Sequence, residues 1–290
     1  MANLSGVGVA LVTPFKSDFS VDYEALARLI DYVIKGRVNY LVTLGTTGET
    51  ATLSEEEKLE VLGFTYEKVK GRVPVVVGVG GNNTAEVIEC LKSWPLDKAA
   101  AVLSVSPYYN KPSQEGIYRH YAAIAGATQK DIILYNVPGR TSSNITAATT
   151  LRLAREFKNI IGTKEASGNM EQCLRLCKER PKDFLLISGD DHITLPLIAC
   201  GFDGVISVAA NSFPADFSRL VHYALEGNFA EANHFQHKLL DGIDLLFAEN
   251  NPAGVKAFLC EMGLIENVLR LPLVPLSEQW MAKVRELVKV

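Results

Sequence analysis

The sequence has no apolar stretch long enough to span a bilayer. Nowhere in its 290 residues do about 18 apolar residues stand together, so no membrane partner is expected. Cysteine is scarce. The five present (Cys90, Cys173, Cys177, Cys200, Cys260) are odd in number and widely spaced, which excludes a disulfide framework and fits reduced thiols. Cys173 and Cys177 fall one helical turn apart, and His234 and His237 can share a helix face. Neither pair has further ligands nearby, so no metal site is expected and the histidines read as surface residues. No excess of basic charge exists: 29 basic residues stand against 33 acidic ones, for a net charge of −4. The basic residues are scattered, and no nucleic-acid partner is expected. The start, Met1-Ala-Asn-Leu-Ser-Gly6, lacks the cationic beginning of a signal peptide, so a cytoplasmic protein is expected. No Gly-Lys-Ser/Thr loop occurs. Gly78-Val-Gly80-Gly81 lacks the third spaced glycine of a dinucleotide fingerprint and reads as a tight turn. Low-complexity segments and Pro/Ser-rich linkers are missing, so no freely swinging domain is expected.

What is present is repetition. Eight short apolar runs recur: Val7–Val12, Tyr40–Leu44, Val73–Val79, Ala100–Val105, Ile132–Tyr135, Ile160–Lys164, Phe184–Ser188 and Gly204–Val208. Nearly continuous Val and Ile mark strands buried on both faces, as in a parallel sheet. Amphipathic helices intervene. The first, Asp22–Ile34, places Leu26, Leu29, Ile30 and Val33 at helical spacing, and Ser54 with Glu57 forms a capping box for the second. Alternation of this kind predicts an α/β fold, a (β/α)8 TIM barrel, with an open doubly wound sheet as the structural alternative. After Val208 only helical patterns follow, with Asn251-Pro252 reading as cap and first-turn proline of one of them. The expectation is a catalytic barrel over residues 1–226 and a C-terminal helical region over 227–290.

A lysine inside a buried strand is the chemical anomaly. In Ile160-Ile-Gly-Thr-Lys-Glu165, alternation puts Ile160, Gly162 and Lys164 on one face, with Gly162 leaving room. Burying an ammonium is costly, so such a lysine tends to lose its proton, and a neutral amine attacks carbonyls. An internal ion pair with Glu165 is the bland reading, although adjacent strand residues face opposite ways. This strand alone leaves both readings open.

Other polar residues sit at strand ends on the side where barrel enzymes keep their active sites. Thr46 and Thr47 follow the second strand, Tyr108 and Tyr109 the fourth, and Gly189 the seventh; Tyr135 ends the fifth, with Arg140 just beyond. Together they offer an amine nucleophile, hydroxyls that pass protons and a cation for a carboxylate. A Schiff base needs those parts: a donor to expel water from the carbinolamine, then an acceptor for a methyl proton. Backbone N–H groups of the Thr46-Thr47 turn can hold a carboxylate.

Five segments carry a resemblance over essentially the whole chain: Gly45–Leu53, Ser106–Gly116, Tyr135–Thr141, Gly162–Gly168 and Ser188–Asp191. They resemble the dihydrodipicolinate synthase / N-acetylneuraminate lyase family. Arg140 and the double threonine point to its synthase branch. The resemblance implies that Lys164 binds pyruvate covalently and Tyr135 is proton donor and acceptor. Thr46 and Tyr109 would complete the relay, with Tyr109 contributed across a subunit interface. Thr47 and the Ile206 backbone would hold pyruvate, while Arg140 and Gly189 would meet L-aspartate-4-semialdehyde. The implied product is 4-hydroxy-tetrahydrodipicolinate, on the way to diaminopimelate and lysine. The resemblance further implies no cofactor, no metal and a homotetramer. Asn82, Glu86 and Tyr108 match an interface site for inhibitory lysine, but Glu55 and Lys58 stand where inhibited bacterial members have histidines, so weak feedback inhibition is expected. An aldolase acting on N-acetylneuraminate or 2-keto-3-deoxygluconate, and a noncatalytic barrel that binds 2-oxo acids, remain as alternatives.

Overall fold

The computed structural model describes residues 3–289. Its strands are β1 (Gly6–Ala10), β2 (Tyr40–Thr43), β3 (Val75–Gly78), β4 (Ala101–Val105), β5 (Ile132–Asn136), β6 (Ile160–Glu165), β7 (Leu185–Ser188) and β8 (Gly204–Ser207). All neighbours pair in parallel and β8 closes on β1, giving a closed barrel. The (β/α)8 expectation holds, and the open sheet is excluded.

The strands are apolar on both sides because both sides are covered. Val42, Val76, Leu103, Ile133, Ile187 and Ile206 pack together inside the barrel. Their alternating neighbours Leu41, Val77, Val102, Leu134 and Leu186 pack outward with the helices. Each fully buried side chain of this kind contributes about 1.5–3 kcal/mol relative to exposure.

The barrel's helices are α1 (Tyr23–Lys35), α2 (Glu55–Val69), α3 (Thr84–Ser93), α4 (Gln114–Ala127), α5 (Pro138–Thr141), α6 (Ala147–Glu156), α7 (Met170–Glu179), α8 (Thr194–Ala199) and α9 (Pro214–Leu225). Local chemistry starts them. Asp22 caps α1 through the Ala25 N–H, and Ser54 with Glu57 makes the reciprocal capping box on α2. The single turn α5 has no counterpart in the periodicity, because four residues are too few to show any. Helices α10 (Phe229–Phe247), α11 (Ala253–Glu261) and α12 (Glu278–Val288) complete the chain, and α10 runs along α9. His234 and His237 are exposed on α10, and among the described residues no helix is long and apolar enough to cross a membrane.

Two expectations need correction. Simple alternation placed Ile160 on the face of Lys164. The β5–β6 register instead slips: Ile132 pairs with Ile160, but Ile133 pairs with Gly162. The extra residue, Ile161, points into the barrel while Ile160 packs outward. The space expected beneath Lys164 is also filled, since a Cβ on Gly162 would lie 2.8 Å from Leu185 Cβ. Second, Asn251 does not cap α11. That helix begins after Pro252 without a side-chain cap, and Asn251 donates instead to Thr47 Oγ1 at 2.9 Å.

Candidate active site

Lys164 sits beside Tyr135 because the register of β5 and β6 pairs these two residues, and both point inward. Lys164 is 5% exposed, and its Nζ lies 4.2 Å from the centre of the Tyr135 ring. A cation over a ring face is favourable, and a neutral amine there has the phenol close by. No ion pair involves Lys164 among the described residues. Glu165 is turned outward, where Asn136 Nδ2 donates to both its oxygens at 3.0 and 3.1 Å and Gln172 Nε2 donates at 3.0 Å. The internal ion pair, the bland reading of Lys164, is therefore not formed.

Gly189 makes room for the lysine. A Cβ at this position would fall 3.0 Å from Lys164 Cε and 2.6 Å from Ala166 Cβ. Its N–H donates to the Glu165 carbonyl at 2.8 Å, which fixes the end of β7 against β6. Ile206 lies inside the barrel on β8. The chain just beyond it is held by Asp191, whose Oδ2 accepts from the N–H groups of Val208 and Ala209 at 3.0 and 2.8 Å. Burial pushes the Asp191 carboxyl above the usual carboxylate range.

Thr46 and Thr47 begin a 3-10 turn, Thr46–Gly48, directly after β2. Thr47 is buried and Thr46 exposed. Asn251 joins this turn to the rest of the site: its Nδ2 donates to Thr47, and its carbonyl accepts from Arg140 Nη2 at 3.2 Å. Arg140 itself rides on α5, exposed beyond the end of β5. Thus Lys164, Tyr135 and Gly189 are in contact or adjacent, and Thr47 and Arg140 are linked through Asn251. Thr46 and Tyr109 share no hydrogen bond with Tyr135 among the described residues. Tyr109 is 89% exposed with a left-handed backbone, φ 73°, on the loop after β4.

The sequence reading missed Asn251 and Asp191 as parts of this constellation. Asn251 looked like a helix cap, and its partner Thr47 is 204 residues away, so nothing local marks it. Asp191 lies in the Ser188–Asp191 segment, and no local pattern there gives it a role.

The sequence pattern of the dihydrodipicolinate synthetase family matches residues 3–290. The chain belongs to this family. A relative from Parabacteroides distasonis named 4-hydroxy-tetrahydrodipicolinate synthase is 55% identical over 287 residues, 99% of this chain and 97% of the relative. One of the same name from Flavobacterium psychrophilum is 54% identical over 94% of this chain and 93% of its own. Among solved structures, dihydrodipicolinate synthase from Aquifex aeolicus superposes with a TM-score of 0.95 at 40% identity, covering 99% and 97% of the two chains. The chloride-inhibited synthase from Acinetobacter baumannii, solved with pyruvate, gives 0.96 at 41% identity, with 99% and 98% covered. Members of the dihydrodipicolinate synthetase family thus share both sequence and fold with this chain along nearly its full length.

Proposed function

We propose that the protein is a Schiff-base lyase, a 4-hydroxy-tetrahydrodipicolinate synthase. It condenses pyruvate with L-aspartate-4-semialdehyde. The observation that carries this reading is Lys164 inside the barrel, without a counter-ion among the described residues and 4.2 Å from the Tyr135 ring centre. The Lys164 amine attacks the keto carbon of pyruvate and forms a carbinolamine. Tyr135 gives a proton to the departing hydroxyl, which leaves as water, and an iminium remains. Loss of a methyl proton then gives an enamine, whose carbon attacks the aldehyde. The amine of the second substrate displaces Lys164 and frees it for another turnover.

Thr47 and the Ile206 backbone hold the pyruvate carboxylate. Arg140 and Gly189 meet the second substrate, for which a guanidinium supplies charge-assisted bonds to a carboxylate. The aldehyde partner of a sugar-acid aldolase, such as N-acetylmannosamine or glyceraldehyde, has no carboxylate to offer Arg140, which ranks the aldolase reading lower. Thr46 and Tyr109 complete the proton relay. Tyr109 does so from a neighbouring subunit of a homotetramer, supported by its exposure on a protruding loop.

Borohydride reduction in the presence of pyruvate, followed by peptide mapping, tests the central step. The adduct is expected on the peptide containing Lys164 and absent in Lys164→Ala. A chain that traps no pyruvate is not a Schiff-base enzyme. Offering aspartate-4-semialdehyde, N-acetylmannosamine and glyceraldehyde as aldehyde partners distinguishes synthase from sugar-acid aldolase.

A further inference from the structure

A second lysine is buried in this molecule, and it stands behind the same loop. Lys256 lies on α11 with its side chain fully enclosed, paired with an equally enclosed Glu49. Its Nζ donates to the Val268 carbonyl at 2.9 Å and lies 4.1 Å from the centre of the Phe15 ring. The other oxygen of Glu49 accepts the Arg270 backbone N–H at 3.1 Å. The Arg270 guanidinium covers the same Phe15 ring at 4.4 Å and donates to Glu57 and to the Thr52 carbonyl, at 2.7 and 2.8 Å from one nitrogen. Burial holds the Lys256 amine below the ordinary lysine range, and Glu49 pulls the other way.

Desolvating two charges costs about as much as their attraction returns, and apolar pairs of like volume often replace them without loss of stability. The pair is therefore a weak source of stability. What it does impose is geometry. Glu49 has a left-handed backbone, φ 51°, between the Thr46–Gly48 and Thr50–Thr52 turns. A residue with a side chain adopts that conformation only when its surroundings hold it there. Two residues earlier is Thr47, tied to Asn251, and between them the Gly48 carbonyl accepts from Thr13 Oγ1 at 2.7 Å.

We propose that the Glu49–Lys256 pair is a positioning device that sets the Thr46–Thr47 turn to receive the carboxylate of the 2-oxo acid. The pair touches no substrate, and the inference rests on the Schiff-base reading above. The test uses the full-length chain with both charges removed at similar volume, Glu49→Met with Lys256→Met, so that no lone buried charge remains. The double variant is expected to melt close to the parent and to keep the adduct on Lys164 at saturating pyruvate. Its KM for pyruvate should rise about ten- to a hundredfold while kcat changes less, the signature of a displaced binding group. A folded double variant with the parent's pyruvate KM overturns the proposal. Glu49→Asp keeps the charge and shortens its reach. It should also raise KM, and it decides the matter if the double variant does not fold, an unchanged KM again overturning the proposal. A parent chain that forms no adduct defeats the Schiff-base reading instead, so the two failures are separable.

Discussion

At Gly189 an alanine methyl would press on the stem of Lys164, 3.0 Å from Cε, and on Ala166 Cβ at 2.6 Å. The lysine stem can swing aside, but the Ala166 contact is relieved only by shifting backbone at the ends of β6 and β7, and both movements displace the amine. Gly189→Ala should slow single-turnover trapping of pyruvate by up to roughly 10²-fold, the scale of a displacement near 1 Å. A parental trapping rate would show that the amine does not depend on this gap. Lys164 was legible at this scale because a charged residue in a buried strand breaks the apolar rule. Ile160, four residues earlier on the same strand, was misplaced, since a one-residue bulge reverses facing and leaves no mark in composition. Lys256 carried the same signal as Lys164, a lysine between Val255 and Ala257 in an apolar helix, and its partner Glu49 is distant in sequence. Pairings across that separation depend on the closed fold and cannot be read from local pattern.

Among elements, the strands were legible because burial on both faces gives uninterrupted apolar runs, and helices such as α4 were legible because caps and periodicity agree. The short α5, which carries Arg140, was not, for it buries only Thr141 and is stabilised by its surroundings. The approach of α10 to the β7 end was equally hidden. There His192 lies between two acids, with Nε2 2.9 Å from Asp244 on α10 and Nδ1 3.6 Å from Asp190. The nearby Asp190 carboxylate, and then the hydrogen bond with Asp244, raises the imidazole from 6.5 to about 8. A raised value means that the folded state favours the charged form. The stabilisation is complete below 6.5 and is lost as pH climbs through about 8. Half-exposure screens it, so the effect is small. Relative to His192→Gln, the parent's melting temperature should fall between those two pH values. Parallel curves would show that the bridge between α10 and the β7 loop contributes no pH-dependent stability.

For the whole molecule, the exposed Tyr109 makes a prediction about assembly. If it serves a neighbour's site, Lys164→Ala and Tyr109→Ala subunits fail separately, but mixed assemblies regain activity. Each hybrid then contains a site with Lys164 from one chain and Tyr109 from the other. Mixtures as inactive as their parts would place Tyr109 outside the relay. Feedback by lysine should be weak, because Glu55 is engaged by Trp94 Nε1 at 2.5 Å and by Lys58 at 3.7 Å, and Lys58 adds a charge that repels an incoming ammonium. Titration of L-lysine into the assay checks this, and strong inhibition at low concentration would refute it. Asn251 and Lys256 have a consequence for how the protein is made. On the ribosome all eight strands emerge before either residue does. A nascent chain can close its barrel, with Lys164 and Tyr135 already side by side, while the loop after β2 still waits for its anchors. The pyruvate-binding turn would then be set only after the barrel has closed, so a nascent chain binds pyruvate weakly until Asn251 and Lys256 emerge.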